Sequence, residues 1–254
     1  YINLDHRKDR REHIESQLQK MNLMNRKNGK QTIHISGVNG QDLYKDYKKF
    51  AKEFNCKPEQ MKPEYWFSRK NFRTMTMDHK KILGKVGCYL AHLRAIQYAI
   101  KHKLYPVLFI EDDCVFISNL SNVPKPPKDC DMFYLGGLFW KTTKENLPKV
   151  SNKEHWMTIN PKHFKIACTF SYGLMNLQSL QNNHNLLTSV WLPGKSYNNP
   201  DNWKSKTQRI RATAVDLSYI NFIQSSNNSV VLIPPITIQS DSFTSDVTDI
   251  DKNL

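Results

Sequence analysis

A chain of 254 residues with 39% hydrophobic content can bury one large core, and 37 Lys and Arg against 23 Asp and Glu leave it a formal charge of +14. No apolar run is long enough to cross a bilayer, no signal-peptide pattern opens the chain, and five scattered cysteines without a Cys-x-x-Cys pair argue against a zinc site or a disulfide framework. The positive excess attracts anions in general, which leaves nucleic acid, phosphorylated ligands and acidic surfaces as candidates.

The chain opens on a short strand, Tyr1-Ile2-Asn3-Leu4, followed by a charged run from Asp5 to Arg11 and a helix marked by Ile14, Leu18 and Met21. A second strand, Thr32-Ile33-His34-Ile35, leads into Gly37-Val38-Asn39-Gly40, a turn whose glycines let backbone approach a ligand closely. Residues 41–76 are irregular, aromatic and basic, broken by Pro58 and Pro63, and read as an insertion or helical excursion. A helix is predicted over 84–100, with apolar residues at Leu90, Leu93, Ile96, Ala99 and Ile100. Its Gly-Lys-x-Gly start is no Walker loop, because the spacing is wrong and no Ser or Thr follows Lys85.

Next comes Val107-Leu108-Phe109-Ile110, an apolar β-run that breaks into Glu111-Asp112-Asp113. Adjacent carboxylates repel one another and resist burial, so they persist most easily where a divalent cation or a donor-rich ligand compensates them. An ordinary acidic turn is the competing reading. Pro124, Pro126 and Pro127 mark a surface crossing, and Asp131 to Leu135 forms a strand ending in Gly136 and Gly137. Residues 141–165 read as polar loop, 167–175 as a strand or hairpin edge, 177–187 as a helix, 197–208 as a linker, and 214–220 as a short helix near Asp216. A late strand, Val230 to Ile233, precedes Pro234-Pro235. Strands alternating with helices predict a single-domain α/β fold over 1–254, with a mainly parallel sheet whose ligand crevice lies beyond the carboxyl ends of its strands.

In this order the segments resemble glycosyltransferase family 25, which includes lipooligosaccharide sugar transferases and procollagen galactosyltransferases. Ile2-Asn3-Leu4-Asp5 with Arg7 and Asp9-Arg10 resembles the family's opening signature, and Gly37-Val38-Asn39-Gly40 its Val-Asp-Gly turn. Gly87-Cys88-Tyr89-Leu90-Ala91-His92 is similar to its Gly-Cys-x-x-Ser-His segment, and the acids with Tyr134-Leu135-Gly136-Gly137 complete the set. Asn39 stands where the family carries an acid and Ala91 where it carries Ser.

The resemblance implies a GT-A-like, Rossmann-type sheet flanked by helices, with 1–137 as the nucleotide-sugar half and 138–254 as the acceptor half. It implies an inverting transferase using a UDP-sugar with Mn²⁺ or Mg²⁺, and a glycan or hydroxylated protein as acceptor. Asp113 is then the expected metal ligand, Glu111 and Asp112 share metal and ribose contacts, and Gln239 or Asp241 returns a further ligand late in the chain. Asn3 can read a base edge, with Leu4 beside it; Asp5 can accept from ribose, and Arg7 or Arg10 can approach phosphate, although either Arg can equally pair with Asp9 or Glu12. Gly40, Gly136 and Gly137 are expected to line the donor site, and Gly87 to open an anion-receptive helix start beside Lys85. His92 is expected to pack behind the site rather than to catalyse. Asp216 is the candidate base for the acceptor hydroxyl, with a helix N-cap as its alternative role. Trp140, Trp156, Trp191 and Trp203 are candidate sugar platforms, with packing as the commoner use.

Two other readings compete. A nucleic-acid-binding module would use the +14 charge and the basic-aromatic stretch from Tyr65 to Arg73, but it gives no reason for acids at a central strand end, so no nucleic acid is expected. A family member that binds sugar nucleotide without turnover is the other. The expected location is the cytoplasm, with a secretory-pathway lumen or a membrane-associated, truncated protein as alternatives; an oligomer is compatible with the sequence.

Overall fold

The computed structural model describes residues 1–24, 32–63, 79–140, 155–191 and 215–243. Strand β1 (Ile2–Asn3) is followed by helix α1 (Lys8–Lys20), which buries Ile14 and Leu18 against Tyr1, Ile110, Cys114 and Phe170. Strand β2 (Ile35–Ser36) returns parallel to β1, so the predicted β-α-β opening is present. The first part of the suspected insertion is helical, with α2 (Leu43–Glu53) and α3 (Pro58–Met61); its remainder, including Tyr65 to Arg73, lies outside the described residues. Helix α4 (His79–Lys101) is the spine of the core, with Val86, Leu90, Leu93 and Ile96 fully buried. Burial on so many sides suits a helix enclosed by sheet, helix and turn.

Strand β3 (Val107–Ile110) and strand β4 (Cys114–Phe116) flank the acids, and β5 (Met132–Tyr134) and β6 (Leu138–Trp140) flank the paired glycines. Then come β7 (His155–Thr158), β8 (Lys165–Ala167), β9 (Ser171–Leu174) and helix α5 (Leu177–Trp191). Helix α6 (Val215–Ser218) runs on through a π-helical turn, Tyr219–Ile223, before β10 (Ser229–Ile233) and β11 (Thr237–Gln239).

The main sheet has five strands in the order β3-β9-β5-β10-β7, and it is mixed. Only β5 and β10 run parallel; β3–β9, β9–β5 and β10–β7 are antiparallel, which corrects the expectation of a mainly parallel sheet. The reason lies in the connections. A parallel bridge from Ile2 to Glu111 makes β2, β1 and β3 point one way, as their helical crossovers require. In contrast, β9 enters between β3 and β5 from the strand-rich segment read as loop and hairpin edge. It is wholly buried between β3 and β5, so its Ser-Tyr-Gly-Leu sequence is an interior strand rather than an edge. Strand β7 likewise occupies part of the stretch read as loop.

Candidate functional site

Glu111, Asp112 and Asp113 occupy the tight turn between β3 and β4, where the turn closes through a bond from the Cys114 amide to the Glu111 carbonyl. The opening strand lies alongside. Asn3 Nδ2 donates to Asp112 Oδ2 at 2.7 Å, and Arg10 Nη1 donates to the other Asp112 oxygen at 3.1 Å. The same guanidinium is 3.8 Å from Asp113 Oδ2, and its far face meets the Phe243 ring. Arg10 therefore stands on the acids themselves, a buried cation for buried anions. Arg7 pairs at the surface with Asp9, one of the two partners foreseen for it. Gln17 holds the arrangement from α1, donating to Cys114 O and accepting from the Phe116 amide.

The three carboxylates sit in different environments. Burial pushes Glu111 up, but the hydrogen bonds from His92 and Thr169 and the Arg10 charge outweigh it and hold it below the usual carboxylate range. Burial raises Asp112 despite its bonds to Asn3 and Arg10. Asp113 is raised to about 6, first by burial and then by the Glu111 charge, against the opposing pull of Gln239 and Arg10. Its Oδ2 accepts from Gln239 Nε2 at 3.0 Å, and its carbonyl accepts from the Ser240 amide, whereas its buried Oδ1 has no hydrogen-bond partner among the described residues. A buried, charge-crowded carboxylate with one oxygen unanswered is chemically suited to a hard divalent cation. Asp241 follows on the exposed bend after β11.

Glu111 begins a second, buried network. Its Oε1 accepts from Thr169 Oγ1 at 2.6 Å and lies 3.0 Å from His92 Nε2, while His92 Nδ1 is 3.0 Å from the Tyr172 hydroxyl. Tyr219 donates to that hydroxyl at 2.9 Å. A carboxylate only accepts, so Nε2 carries a proton toward Glu111; Tyr172, already accepting from Tyr219, gives its own proton to Nδ1. The chain of donors runs one way, from the π-helical turn to the acid. Cys168, with φ of +76°, bends the backbone between β8 and Thr169. Thr169, Tyr172 and Tyr219 were not singled out in the sequence, where a Thr and two Tyr in apolar strands and helices carry no signal of their own. His92 sits behind the acidic turn, between Glu111 and Tyr172.

Asp216 is half-buried at the second residue of α6, inside the helix rather than at its cap. Its charge acts on Lys85, Cys88 and Cys168, and the Glu111 charge acts on the same two thiols, so both acids border one region. Burial lowers Lys85, and Asp216 draws it back up. Asp5 is 70% exposed and accepts from Ser36 Oγ, while the Leu4 carbonyl accepts from the Arg7 amide.

The glycines have packing duties. A Cβ on Gly40 would come within 1.8 Å of the Leu83 carbonyl oxygen, and one on Gly87 within 2.3 Å of the Val38 oxygen, so the turn and α4 meet backbone to backbone. Gly87 lies in the interior of α4, which corrects the reading of it as a helix start: its amide belongs to the helical ladder and does not face an anion. Gly136 abuts the Thr237 carbonyl, and Gly137, at φ of +152°, abuts Ile166. Trp156 packs on Phe133 and donates to the Pro124 carbonyl, Trp140 is partly exposed, and Trp203 lies outside the described residues.

The profile of a sugar-transferring enzyme family matches residues 1–186, which include β1, α1, α4, the acidic turn and β9. The protein is a glycosyltransferase. The chain belongs to glycosyltransferase family 25, described as LPS biosynthesis protein. No curated protein matches it closely enough to count as a relative. Membership implies a sugar donor and an acceptor, and among the described residues no helix is long and apolar enough to cross a membrane.

Proposed function

We propose that the protein is a metal-dependent, inverting glycosyltransferase with a GT-A-like donor half, moving a sugar from a UDP-sugar to a hydroxyl of a glycan or a hydroxylated protein. The observation that carries this reading is Asp113, buried in the acidic turn with one oxygen unanswered among the described residues and its carboxyl raised to about 6. Asp113 and Glu111 would hold Mn²⁺ or Mg²⁺, with Gln239 orienting Asp113 and Asp241 near enough in sequence to join them. Such an ion supplies charge neutralisation for the departing diphosphate.

The chain's own residues do the rest. Asn3 and Arg10 fix Asp112, so that the turn is pre-organised before a donor arrives. The Asn3 amide is buried and committed to Asp112 and the Arg7 carbonyl, so it does not read a base edge; the exposed Asp5 carboxylate at the end of β1 is what offers an acceptor to a nucleoside, and Lys85 offers a positive charge to a diphosphate. Asp216 takes the acceptor proton as the acceptor oxygen bonds to the anomeric carbon; the bond from that carbon to the diphosphate breaks, and its electron pair leaves with the diphosphate.

Donor hydrolysis measured on a panel of sugar nucleotides, with Mn²⁺, Mg²⁺ or chelator, tests the reading. One UDP-sugar should be turned over, and only with metal. Binding without turnover across acceptors would support a non-catalytic family member, and equal turnover in chelator would remove the ion from the account.

A further inference from the structure

The donor site borders a cluster of different chemical character. Cys88 and His92 lie one turn apart on the same side of α4, and Glu111 arrives from the end of β3. A thiol sulfur, an imidazole nitrogen and a carboxylate oxygen from these three all lie within 4.8 Å of one another. We propose that Cys88, His92 and Glu111 form a site for one thiophilic divalent ion, of which Zn²⁺ is the natural occupant, different in ligand chemistry from the all-oxygen donor site centred on Asp113, with which it shares Glu111.

Three features carry this. Cys, His and a carboxylate are the ligand types zinc takes, and a sulfur donor selects against Mg²⁺ or Mn²⁺. The supports behind the ligands are already built: Thr169 holds the Glu111 carboxylate, and Tyr172 lies 3.0 Å from the far nitrogen of His92. His92 is 1% exposed, yet Cys88 and Glu111 each keep some surface open, which gives an ion a way in.

The proton and charge balance is simple. Binding sends the Cys88 thiol proton to solvent and moves the His92 proton from Nε2 to Nδ1, from which it is donated to the Tyr172 oxygen as the Tyr172 proton turns to the Tyr219 oxygen and that hydrogen bond reverses. Thiolate and carboxylate then cancel the two charges of the ion, so the buried set becomes neutral. Three protein ligands leave one tetrahedral position for water. Occupation takes Glu111 away from the acidic turn; that consequence alone rests on the proposed donor site, and the binding itself does not.

The test is Co²⁺ titration of the reduced 254-residue chain, followed by absorption. A thiolate-to-cobalt charge-transfer band with tetrahedral ligand-field bands should saturate at one ion per chain, vanish on adding Zn²⁺, and resist excess Mg²⁺. The Cys88→Ser variant should lose the charge-transfer band. Its absence from the wild-type chain, or its persistence in the variant, would overturn the proposal. X-ray absorption on the zinc-loaded wild-type protein guards against a variant that does not fold: one sulfur with nitrogen and oxygen neighbours supports the site, and any other sulfur count refutes it. Neither readout depends on sugar transfer.

Discussion

Asn3 Nδ2 lies 2.7 Å from Asp112 Oδ2, so the first strand of the chain ends on a carboxylate 109 residues later. Asn3 is 1% exposed and Asp112 7% exposed, which makes this a charge-assisted hydrogen bond in a water-poor setting. Replacing Asn3 by Ala leaves one Asp112 oxygen without its donor and should lower stability by about 2 kcal/mol. Urea denaturation monitored by fluorescence measures the loss; a change below about 0.5 kcal/mol would show that the bond does not organise the turn.

Asp113 sets the pH dependence of the acidic turn. Its folded-state pKa, about 6, lies above its ordinary value of 3.8, so between those two pH values the folded protein holds a proton that the unfolded chain has lost. The stability from this group is therefore present below pH 3.8 and disappears as pH rises through about 6. Asp113→Asn should flatten the corresponding slope in metal-free protein, a difference of about 3 kcal/mol over the window. Denaturation midpoints of both proteins at a series of pH values check it; parallel profiles would contradict the assignment.

At Gly87 two effects oppose each other. Alanine improves helix propensity by about 1 kcal/mol, but its Cβ would sit 2.3 Å from the Val38 carbonyl oxygen, and a backbone atom cannot step aside cheaply. The clash should win, making Gly87→Ala a net destabilisation of about 1–3 kcal/mol, read from the thermal midpoint. A stabilised variant would mean that the turn does not press against α4.

Tyr172→Phe removes the hydroxyl that joins His92 to Tyr219. It leaves His92 Nδ1 and the Tyr219 hydroxyl unanswered in the core, at a cost of about 1–3 kcal/mol for each unpaired group. Because Tyr172 is fully buried, the ring itself should stay in place. NMR of the His92 imidazole should show the Nε2–H tautomer kept, because Glu111 fixes it, with the Nδ1 resonance shifted by loss of its donor; an unshifted Nδ1 would break the one-way donor chain.

Asp216→Asn preserves shape while removing the carboxylate proposed to take the acceptor proton. Transfer should fall by about 10²–10⁴-fold, with donor affinity nearly unchanged in calorimetry. Equal losses of both would make Asp216 a structural residue of α6.

The parts of the fold that could be read from sequence are those with strong local signals. Helix α4 announced itself through apolar spacing, β3 through an apolar run ending in charge, and β1-α1-β2 through its alternation. The mixed sheet was hidden because β9 is short, contains Ser171 and Gly173 and has Thr169 and Asn176 close on either side, so nothing local distinguishes an interior antiparallel strand from an edge. At the site, three acids in a row could not be missed, while Thr169 and Tyr172 take their meaning only from a strand pairing formed across the sheet. Gly87 misled in the other direction: within the described residues α4 extends back to His79, and the glycine serves a close contact that no local pattern reveals.

The central claim is that Asp113 joins a divalent cation to the sugar-nucleotide donor. Isothermal titration of UDP-sugars into the wild-type chain and Asp113→Asn, each with Mn²⁺ and with chelator, tests it most directly. The account predicts binding to the wild-type protein only when Mn²⁺ is present, and a large loss in the variant under the same conditions. Equal donor affinity in wild type and variant, with or without Mn²⁺, would contradict it.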